Sequence, residues 1–455
     1  MEMAAVILAA GKGTRMKSRL PKVLHRVCGR PMISHVLDAV GEAGAEKVVA
    51  VVGYRGEEVA TVLGAGVELA VQAEQLGTAH ALRQAEPVLA GFSGLLLVVC
   101  GDTPLITGAT LQSLAQEHRR AGNAITVCTA LIDNPSGYGR IIRGGDGRVL
   151  KIVEERDATP DERLAREINT GVYCFDSRGL FQALSRLKPD NSQGEYYLTD
   201  IIDLYGQEGR PVGAWIAPEV SEMQGINDRK QLAAAEAALR QRIRDRLMYS
   251  GVTILDPATT FIDATVKVGQ DTVICPFTVI EGATEIDRDC LIGPSSRLVN
   301  ARLGSGVVVQ HSIVLDSEIG PDCLIGPFAY IRPGCRLGSN VKVGDFVELK
   351  KSVIGDDSKV PHLSYIGDAE LGRGVNIGAG AITCNYDGKN KYLTTIGDHA
   401  FIGSNANLVA PVEVGERAVI GAGSTITKNV PAESLGIARS KQKNLAGWAA
   451  GNDKE

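Results

Sequence analysis

The chain of 455 residues has few aromatic side chains, no excess of basic charge and no regularly spaced cysteines. Phe, Trp and Tyr make up only 5% of it, and the formal net charge is −5. Because nonspecific binding of nucleic acid needs a broad basic surface, this charge argues against nucleic acid as a partner. The nine cysteines stand singly, without a Cys-x-x-Cys motif, which favours free thiols in a reducing cytoplasm over a disulfide framework.

Long hydrophobic runs are also missing. The apolar run that ends at Leu8 has no basic region ahead of it and is far too short to span a bilayer, so we expect a cytoplasmic protein with no membrane span. The length exceeds the roughly 250–300 residues that one hydrophobic core supports, which predicts at least two domains. Glycine, in contrast, is abundant, with 53 residues.

An aliphatic residue recurs at every sixth position through much of the C-terminal half. This period matches neither an amphipathic helix nor a hairpin meander, but it fits a triangular coil with one inward aliphatic residue on each of three short strands per turn. Glycine often follows the aliphatic residue, where a corner needs conformational freedom or close approach. We therefore predict a parallel β-helix, whose handedness the period does not determine. The three unbroken series are Ile262, Val268, Ile274, Ile280, Ile286, Ile292 and Leu298; Ile319, Ile325, Ile331, Leu337, Val343 and Leu349; and Ile396, Ile402, Leu408, Val414, Ile420 and Ile426.

The N-terminal half alternates apolar strand-like runs with helical segments, which predicts an α/β domain with a mostly parallel sheet. Residues 4–10, 47–52, 95–100 and 124–129 form the predicted strands. In such sheets ligands bind at the carboxyl ends of the strands. The first run is followed by the turn Gly11-Lys12-Gly13-Thr14-Arg15-Met16, which suits phosphate binding although it matches neither a dinucleotide fingerprint nor a P-loop.

Two further side chains suggest chemistry. Asp102 follows the third predicted strand, and its carboxylate is the kind of oxygen ligand that Mg²⁺ prefers. His362 is a solitary polar ring among the aliphatic residues of the repeat, and histidine is the usual base near neutral pH. The residue alone leaves open whether it is a catalyst or a hydrogen-bonded structural histidine.

The motifs of the N-terminal half resemble those of sugar-1-phosphate nucleotidyltransferases. Residues 8–16 followed by Leu20-Pro21-Lys22 carry the signature, and the later matches are residues 72–78, 101–102, 137–140, 153–154, 167–171 and 225–227. The repeat resembles the left-handed β-helix of hexapeptide-repeat acyltransferases. Together, through Arg439, the chain resembles the family of bacterial bifunctional N-acetylglucosamine-1-phosphate uridylyltransferases and glucosamine-1-phosphate N-acetyltransferases.

The resemblance implies two activities and a division of the chain. The domain boundaries expected are 1–227 for the nucleotidyltransferase, 228–250 for a linker helix, 251–437 for the β-helix acetyltransferase and 438–455 for a tail. The β-helix would transfer acetyl from acetyl-CoA to glucosamine-1-phosphate. The first domain would transfer UMP from UTP to N-acetylglucosamine-1-phosphate and release pyrophosphate, with Mg²⁺. A homotrimer with active sites between subunits is the expected assembly.

The resemblance also assigns residues to the first reaction. Arg15 and Lys22 would act on the triphosphate and the transition state, with help from Lys12, and Asp102 and Asn227 would hold the metal ion. A capping role for Asn227 at the start of the linker helix is the alternative. Cys100 stands where the family commonly has tyrosine. The residues expected to bind UTP and the UDP-sugar are Leu8, Ala9, Ala10, Gly11, Lys22, Gln72, Gly77, Thr78, Gly139, Glu154, Asn169 and Asn227.

For the second reaction the resemblance makes His362 the catalytic base. The residues expected to bind the amino-sugar phosphate are Arg332, Lys350, Tyr365, Asn376 and Lys391. Those expected to bind acetyl-CoA are Ala379, Asn385, Tyr386, Ser404, Ala422 and Arg439.

The six-residue period is interrupted near these residues. The step shortens from Leu349 to Ile354 and again from Ile366 to Leu371, on either side of His362. These interruptions predict that the acetyltransferase site lies where the repeat is irregular.

Two alternatives remain open at this stage. One is a monofunctional sugar-1-phosphate nucleotidyltransferase whose β-helix is structural or regulatory. The other is a non-catalytic assembly or binding subunit, against which the presence of Arg15, Lys22, Asp102 and Asn227 argues.

Overall fold

A computed structural model describes residues 2–449, so Met1 and the end of the predicted tail, 450–455, lie outside the described residues. The chain divides into two compact units, Met1–Leu239 and Arg240–Glu455. The domain boundaries expected from the sequence stay predictions. Within residues 2–449, no helix has both the length and the apolar character needed to cross a membrane.

The first unit is built on a mixed, mostly parallel sheet, as predicted. Its strand order is β11-β7-β10-β6-β1-β4-β5, with β10 antiparallel to β6 and β7, and β8 and β9 attached beside β10. β2 and β3 form a separate small ribbon. The strands are β1 Met3–Ala9, β2 Arg26–Val27, β3 Arg30–Pro31, β4 Lys47–Val52, β5 Val67–Val71, β6 Leu95–Cys100, β7 Ile125–Leu131, β8 Arg140–Arg143, β9 Val149–Val153, β10 Glu167–Asp176 and β11 Val212–Ile216.

The central strand β1 is buried on both faces of this sheet. Successive side chains of a strand point to opposite faces, so Val6 enters one apolar core cluster and Ile7 enters the other. This explains why β1 reads as an unbroken apolar run in the sequence. Its neighbours are β4 and β6, and the register places Leu8 opposite Cys100.

Helices α1, α2 and α4 pack on one face of the sheet, and helices α3, α5 and α6 pack on the other. Thr107 caps α4 by accepting a hydrogen bond from the Thr110 amide at 3.3 Å. Asp228 accepts one from the Gln231 amide at 2.9 Å at the start of α7, and the Asn227 amide donates to the Gln231 side chain at 2.7 Å. The α-helices are α1 Met32–Glu42, α2 Gly56–Leu63, α3 Thr78–Arg83, α4 Gly108–Ala121, α5 Leu180–Leu184, α6 Asp200–Gln207 and α7 Arg229–Tyr249, and the 3₁₀ helices are Thr14–Met16, Lys22–Leu24, Glu162–Leu164, Val220–Met223 and Pro257–Thr259.

The second unit is the parallel β-helix that the repeat predicts. Its short strands β12 to β41 form three parallel sheets: the first from β12 through every third strand to β39 and then β41, the second from β13 to β40, and the third from β14 to β38. In chain order the strands are Thr253–Ile254, Phe261–Ile262, Lys267–Val268, Val273–Ile274, Val279–Glu281, Glu285–Ile286, Leu291–Ile292, Arg297–Val299, Arg302–Leu303, Val308–Val309, Ile313–Leu315, Glu318–Ile319, Leu324–Ile325, Tyr330–Ile331, Arg336–Leu337, Lys342–Asp345, Glu348–Lys350, Val353–Ile354, Lys359–His362, Tyr365–Gly367, Ala369–Leu371, Asn376–Ile377, Ile382–Cys384, Thr394–Ile396, Phe401–Ile402, Asn407–Val409, Val412–Val414, Val419–Ile420, Thr425–Ile426 and Leu435–Gly436.

The recurring aliphatic residues fill the inside of this coil. All members of the three series are buried except Val268, which is half-buried in β14, the first strand of the third sheet. Ladder pairing stacks them, as with Ile274 opposite Ile292. Glycine allows the turns to approach closely: a Cβ atom at Gly378 would lie 2.5 Å from the Ser404 amide nitrogen.

Charged residues on the outer face of the third sheet alternate in sign from turn to turn. The order is Lys267, Glu285, Arg302, Glu318 and Arg336, each paired in register with the next. Ion-pair distances are 2.7 Å between Lys267 and Glu285, 3.9 Å between Arg302 and Glu285, and 3.6 Å between Arg336 and Glu318. Alternation avoids like charges directly opposite each other on neighbouring strands.

Candidate active sites

The sheet brings the glycine-rich turn and Asp102 to one edge of the first unit. β1 and β6 are neighbours, both run toward this edge, and the Gly101 amide donates to the Leu8 carbonyl at 2.9 Å. A cavity of about 410 Å³ opens there. It is lined by Leu8, Ala9, Ala10, Gly11, Lys12, Lys22, Val23, Gln72, Gln75, Gly77, Thr78, Ala81, Cys100, Asp102 and Glu195. Most of the residues expected to bind UTP therefore share one cavity.

Two cations and two oxygen donors meet beside this cavity; we call Arg15, Lys22, Asp102 and Asn227 the polar cluster. The Lys22 ammonium donates to the Asp102 carboxylate and, at 3.2 Å, to Asn227 Oδ1. Arg15 donates to the same Oδ1 at 2.8 Å. Gly13 makes this possible, because a Cβ atom there would lie 2.6 Å from Lys22 Cβ and its φ is +61°.

The donor set fits a hydrated divalent cation. Asp102 and Asn227 both direct an oxygen at the Lys22 ammonium, so a positive charge is already stabilised between them. Residues 2–449 contain no group of three or more His, Cys, Asp or Glu side chains that could hold a metal ion. Mg²⁺ usually takes one or two protein oxygens and completes its shell with water and substrate phosphates. The side chain that caps α7 is that of Asp228, which leaves the Asn227 side chain directed at the cations.

A second group of predicted residues lies where β8, β9 and β10 meet. The Asn169 amide donates to the Gly139 carbonyl at 2.9 Å, and its side chain donates to the Tyr173 hydroxyl at 2.8 Å. A Cβ atom at Gly139 would lie 3.4 Å from the Glu154 carboxylate, so glycine keeps space in front of that carboxylate. The pKa of Glu154 is raised, because the effect of burial exceeds the opposing effect of a hydrogen bond from Thr199.

The loop from Gln72 to Thr78 is fixed by hydrogen bonds. The Gln72 side chain donates to the Gly77 carbonyl at 3.1 Å, and Thr78 Oγ1 accepts from the Leu198 amide at 3.0 Å. Gly77 has a φ of +111°, and a Cβ atom there would lie 2.5 Å from the Tyr196 carbonyl oxygen. The loop therefore requires glycine at this position.

Cys100 lines the cavity as a neutral thiol. Burial, with the nearby Asp102 carboxylate, raises the pKa of Cys100 to about 12. Its Sγ lies 3.7 Å from the Gly171 carbonyl. A small uncharged group thus stands at the position where the family commonly has tyrosine.

In the β-helix, the predicted base and several acetyl-CoA residues form one column. The column lies at the corner between the first and second sheets, which we call the first corner. The His362 carbonyl accepts from the Gly380 amide at 3.4 Å, and the Ala379 carbonyl accepts from the next turn at 2.8 Å. The Ser404 carbonyl accepts a hydrogen bond from the Gly423 amide of the following turn at 2.8 Å. The Ala422 carbonyl accepts one from the Arg439 guanidinium, also at 2.8 Å.

A second polar group lies at the corner between the second and third sheets, the second corner. Lys350 Nζ donates to Asp368 Oδ2 at 2.9 Å, and Asn385 Nδ2 of the side chain donates to the same carboxylate oxygen. Asn385 also lies 3.4 Å from the Tyr365 hydroxyl. The neighbouring Lys350 ammonium lowers the pKa of Lys391.

Three further predicted residues, Arg332, Tyr386 and Asn376, lie outside these two groups. Arg332 donates to Glu348 at 2.8 Å on the face between the two corners. Tyr386 and Lys391 form an antiparallel bridge across a small loop that interrupts the repeat. Asn376 lies on β33, paired with Lys359 and Phe401 rather than with either group.

Two carboxylates at these corners were not among the residues predicted from the sequence. Asp345 accepts a hydrogen bond from His362 across 17 residues, and Asp368 accepts one from Lys350 across 18 residues. Both separations equal one turn of the coil, so a search at that spacing from each candidate residue would have found them. Gln75 and Glu195, which line the first cavity, were also missed.

Comparison with known proteins agrees with both halves of this description. A family model described as nucleotidyl transferase matches residues 4–220, and one described as bacterial transferase hexapeptide (six repeats) matches residues 316–351 and 393–428. The protein "Bifunctional protein GlmU" of Pelotomaculum thermopropionicum is 63% identical over 450 residues, which cover 99% of this chain and 98% of that protein. Proteins of the same name from Heliobacterium modesticaldum and Geobacillus sp. are 56% and 55% identical, each over at least 96% of both chains.

The chain belongs to the GlmU family.

Membership of the GlmU family confirms the bifunctional prediction: the chain is a uridylyltransferase and an acetyltransferase. Neither a monofunctional nucleotidyltransferase nor a non-catalytic subunit is favoured. The hexapeptide repeats identify the coil as a left-handed β-helix, as the resemblance implied. A nucleotidyltransferase of the GlmU family also implies a divalent metal ion, and its substrates are small molecules.

Proposed function

We propose that the polar cluster catalyses transfer of UMP from UTP to N-acetylglucosamine-1-phosphate, and that the corners around His362 and Lys350 catalyse transfer of acetyl from acetyl-CoA to glucosamine-1-phosphate. The observation that supports this most directly is the convergence of Arg15, Lys22 and Asp102 with Asn227 at the carboxyl ends of β1 and β6. Two reacting anions meet there, so positive charge is the main requirement of the site.

In the first reaction a phosphate oxygen of the sugar phosphate attacks the α-phosphorus of UTP. A new P–O bond forms, the bond between the α-phosphorus and its bridging oxygen breaks, and pyrophosphate leaves. Arg15 and Lys22 bind the triphosphate and neutralise charge as it develops, with Lys12 assisting. The amides of the turn at Ala10 and Gly11 bind phosphate oxygens.

Asp102 and Asn227 would hold Mg²⁺, which when bound supplies further neutralisation of phosphate charge. The remaining residues hold the two substrates in place. Leu8, Ala9, Gln72, Gly77 and Thr78 hold the uridine, which the shared cavity supports. Gly139, Glu154 and Asn169 hold the sugar, since the glycine leaves room in front of a carboxylate that can accept from a sugar hydroxyl.

In the second reaction the neutral amine of glucosamine-1-phosphate attacks the thioester carbonyl. An N–C bond forms, the C–S bond breaks, and the amine proton passes to His362 and then to the leaving thiolate of coenzyme A. Arg332, Lys350 and Lys391 bind the phosphate, and Tyr365 and Asn376 hold the sugar. Acetyl-CoA lies along Ala379, Asn385, Tyr386, Ser404, Ala422 and Arg439, most of which the first corner stacks in successive turns.

The protein acts as a homotrimer in the cytoplasm. A ladder of apolar side chains stands exposed in three successive turns of the first corner, with Phe328 54%, Phe346 60% and Leu363 61% exposed, and Phe277, 64% exposed, lies three turns earlier at the same corner. The rings of Phe328 and Phe346 stack at 5.4 Å. Monomeric proteins typically expose only small apolar patches. Burial of this ladder against other copies of the chain, arranged in a closed ring, accounts for its exposure in the single chain. The single spacing of the nine cysteines, without a Cys-x-x-Cys motif, supports a reducing compartment.

The test follows each activity separately in one preparation. The full chain is incubated with acetyl-CoA, UTP, MgCl₂ and a panel of amino-sugar phosphates, while free thiol and pyrophosphate are measured. His362→Ala should abolish thiol release and leave pyrophosphate release from N-acetylglucosamine-1-phosphate intact, and Asp102→Ala should do the reverse. His399→Ala and Asp133→Ala, both at exposed positions, are the matched controls. Full acetyl transfer by His362→Ala, or full pyrophosphate release by Asp102→Ala, would contradict the assignment of that half.

A further inference from the structure

Asp345 lies directly beside the candidate base. It ends β27, His362 ends β30, and the ladder between these strands pairs the two residues in register. Asp345 Oδ1 is 2.6 Å from His362 Nδ1. The Asp345 carbonyl also accepts from the Leu363 amide at 2.9 Å, which fixes the backbone of one turn against that of the next.

This contact determines which nitrogen of the imidazole carries hydrogen. An ionised carboxylate accepts hydrogen bonds and does not donate them, so Nδ1 must be the protonated nitrogen of a neutral ring. The hydrogen bond from His362 holds the pKa of Asp345 below its ordinary value, which keeps the carboxylate ionised near neutral pH. Nε2 is then left with a free lone pair that can accept a proton.

We propose that Asp345 is a positioning residue for acetyl transfer, holding His362 in the tautomer whose Nε2 takes the proton of the attacking amine. This inference rests on the proposed role of His362 as the base. As the N–C bond forms and the C–S bond breaks, the amine proton moves to Nε2, and the Asp345 carboxylate stabilises the imidazolium without itself taking the proton. The proton then passes to the coenzyme A thiolate, so the pair returns to its starting state.

The exposure of the two side chains argues against a purely structural role. Within one subunit the His362 side chain is 55% exposed and the Asp345 side chain is 38% exposed, and an ion pair at such positions contributes little to the folding of that subunit. The pair also continues the first-corner column of His362 and Ala379 by one turn toward the N-terminus, next to Phe346 of the exposed ladder.

A similar contact elsewhere on the coil provides the matched control. The Asn340 side chain donates to Asp357 Oδ1 at 2.9 Å across one turn, and Asp357 is 44% exposed. Asp357 is outside both groups of candidate residues. Replacing it with asparagine therefore tests the general effect of removing an exposed ladder carboxylate.

Few other charges adjoin the pair on the strands packed beside β30. Lys342 lies on β27, Lys359 lies on β30 itself, and β33 contributes the uncharged Asn376. Asp345 is therefore the negative charge in direct contact with the imidazole, and its removal should act on the pH dependence of the acetyl-transfer rate.

The experiment measures kcat and KM of acetyl transfer from pH 5.5 to pH 9 for the full-length wild type, Asp345→Asn, Asp345→Ala, Asp345→Glu, Asp357→Asn and His362→Ala. We expect Asp345→Asn and Asp345→Ala to lower kcat about 10- to 100-fold, with KM for both substrates within about threefold. The acid limb of the Asp345→Asn profile should move to lower pH, because the imidazolium loses its counter-charge. Asp345→Glu should retain more activity than Asp345→Ala, and Asp357→Asn should match the wild type.

The outcomes separate this inference from the function on which it rests. If His362→Ala keeps full acetyl transfer, the proposed base itself is wrong. If His362→Ala is impaired while Asp345→Asn keeps the wild-type kcat and profile, the role of Asp345 is overturned and the base stands. A loss in Asp345→Asn that is accompanied by a lowered melting temperature and by loss of uridylyl transfer would also overturn it, because that result is unfolding.

Discussion

Asn227 Oδ1 accepts a hydrogen bond from the Arg15 guanidinium at 2.8 Å, although 212 residues separate the two along the chain. The amide of Asn227 is held in turn by the side chain of Gln231, in the first turn of α7. The start of this helix therefore places the side-chain oxygen of Asn227 in the polar cluster. The other members of the cluster follow β1 and β6. Four predictions follow from this contact and from others described above.

Asn227→Ala should raise the MgCl₂ concentration needed for half-maximal pyrophosphate release by about tenfold, because it removes one of two protein oxygens in the polar cluster. Initial rates across a MgCl₂ titration give the value. Asn134→Ala, at an exposed loop position, is the control. An unchanged magnesium dependence would argue that Asn227 does not contact the metal ion.

Gly77→Ala should destabilise the first unit by about 3 kcal/mol, since the new Cβ would meet the Tyr196 backbone and take a strained φ. Urea unfolding of the full chain, followed by tryptophan fluorescence, measures the change, because Trp215 reports on this unit. Gly41→Ala, within α1 and with open space around the position, should instead be neutral or slightly stabilising. Equal stability of Gly77→Ala and the wild type would show that this loop adapts freely.

Asp200→Asn should stabilise the protein at pH 8 but not near pH 4. Burial, with the carboxylates of Asp203 and Asp157, raises the pKa of Asp200 from 3.8 to about 6. The folded state thus binds this proton more tightly than the unfolded chain does, so the ionised group lowers stability above about pH 6 and the loss disappears as the pH falls.

The expected gain at pH 8 is about 1–2 kcal/mol in the free energy of unfolding, reduced because Asp200 is only half-buried. Urea unfolding at pH 8 and pH 4 measures it. Asp190→Asn, at an exposed position of the same unit, should show no such difference between the two pH values. A pH-independent effect of Asp200→Asn would contradict the raised pKa.

Phe346→Ser should weaken the proposed homotrimer. The ring stacks on Phe328 in the exposed ladder, and a hydroxymethyl group removes most of the apolar area that a second copy would cover. Light scattering coupled to size-exclusion chromatography should show smaller species at concentrations where the wild type is assembled. Tyr249→Ser, at a 92% exposed aromatic residue of α7, is the control. If Phe346→Ser assembles as the wild type does, this ladder is not the interface between copies.

The sequence predicts the β-helix well because its period is local. An aliphatic residue at every sixth position, such as Ile274, predicts which side chains point into the coil. All of these side chains are buried except that of Val268. Val268 lies in the first strand of the third sheet, but Ile262 is buried in the first strand of the second sheet, so the six-residue pattern does not by itself set burial at the start of the coil. In the first unit, β4 and β6 have the predicted bounds because β6 is an unbroken apolar run and β4 is one after its first residue, Lys47.

Other features depend on contacts that a linear pattern does not contain. The antiparallel strand β10 enters a mostly parallel sheet, and nothing in its composition sets its direction. Asp345 and Asp368 become visible only when the turns are aligned at their true spacing of 17 or 18 residues. Asn227 could be associated with the polar cluster from the sequence only through the family resemblance.

The alternating charges on the third sheet repeat every two turns of the coil. Because each turn pairs only with its neighbours, whole turns can be gained or lost without disturbing the corners farther along. Loss of one turn, residues 285–301, would set Arg302 against Lys267, whereas loss of two, residues 285–317, would bring Glu318 to that position and preserve the alternation. Changes in the length of this domain are therefore expected to be tolerated in steps of two turns.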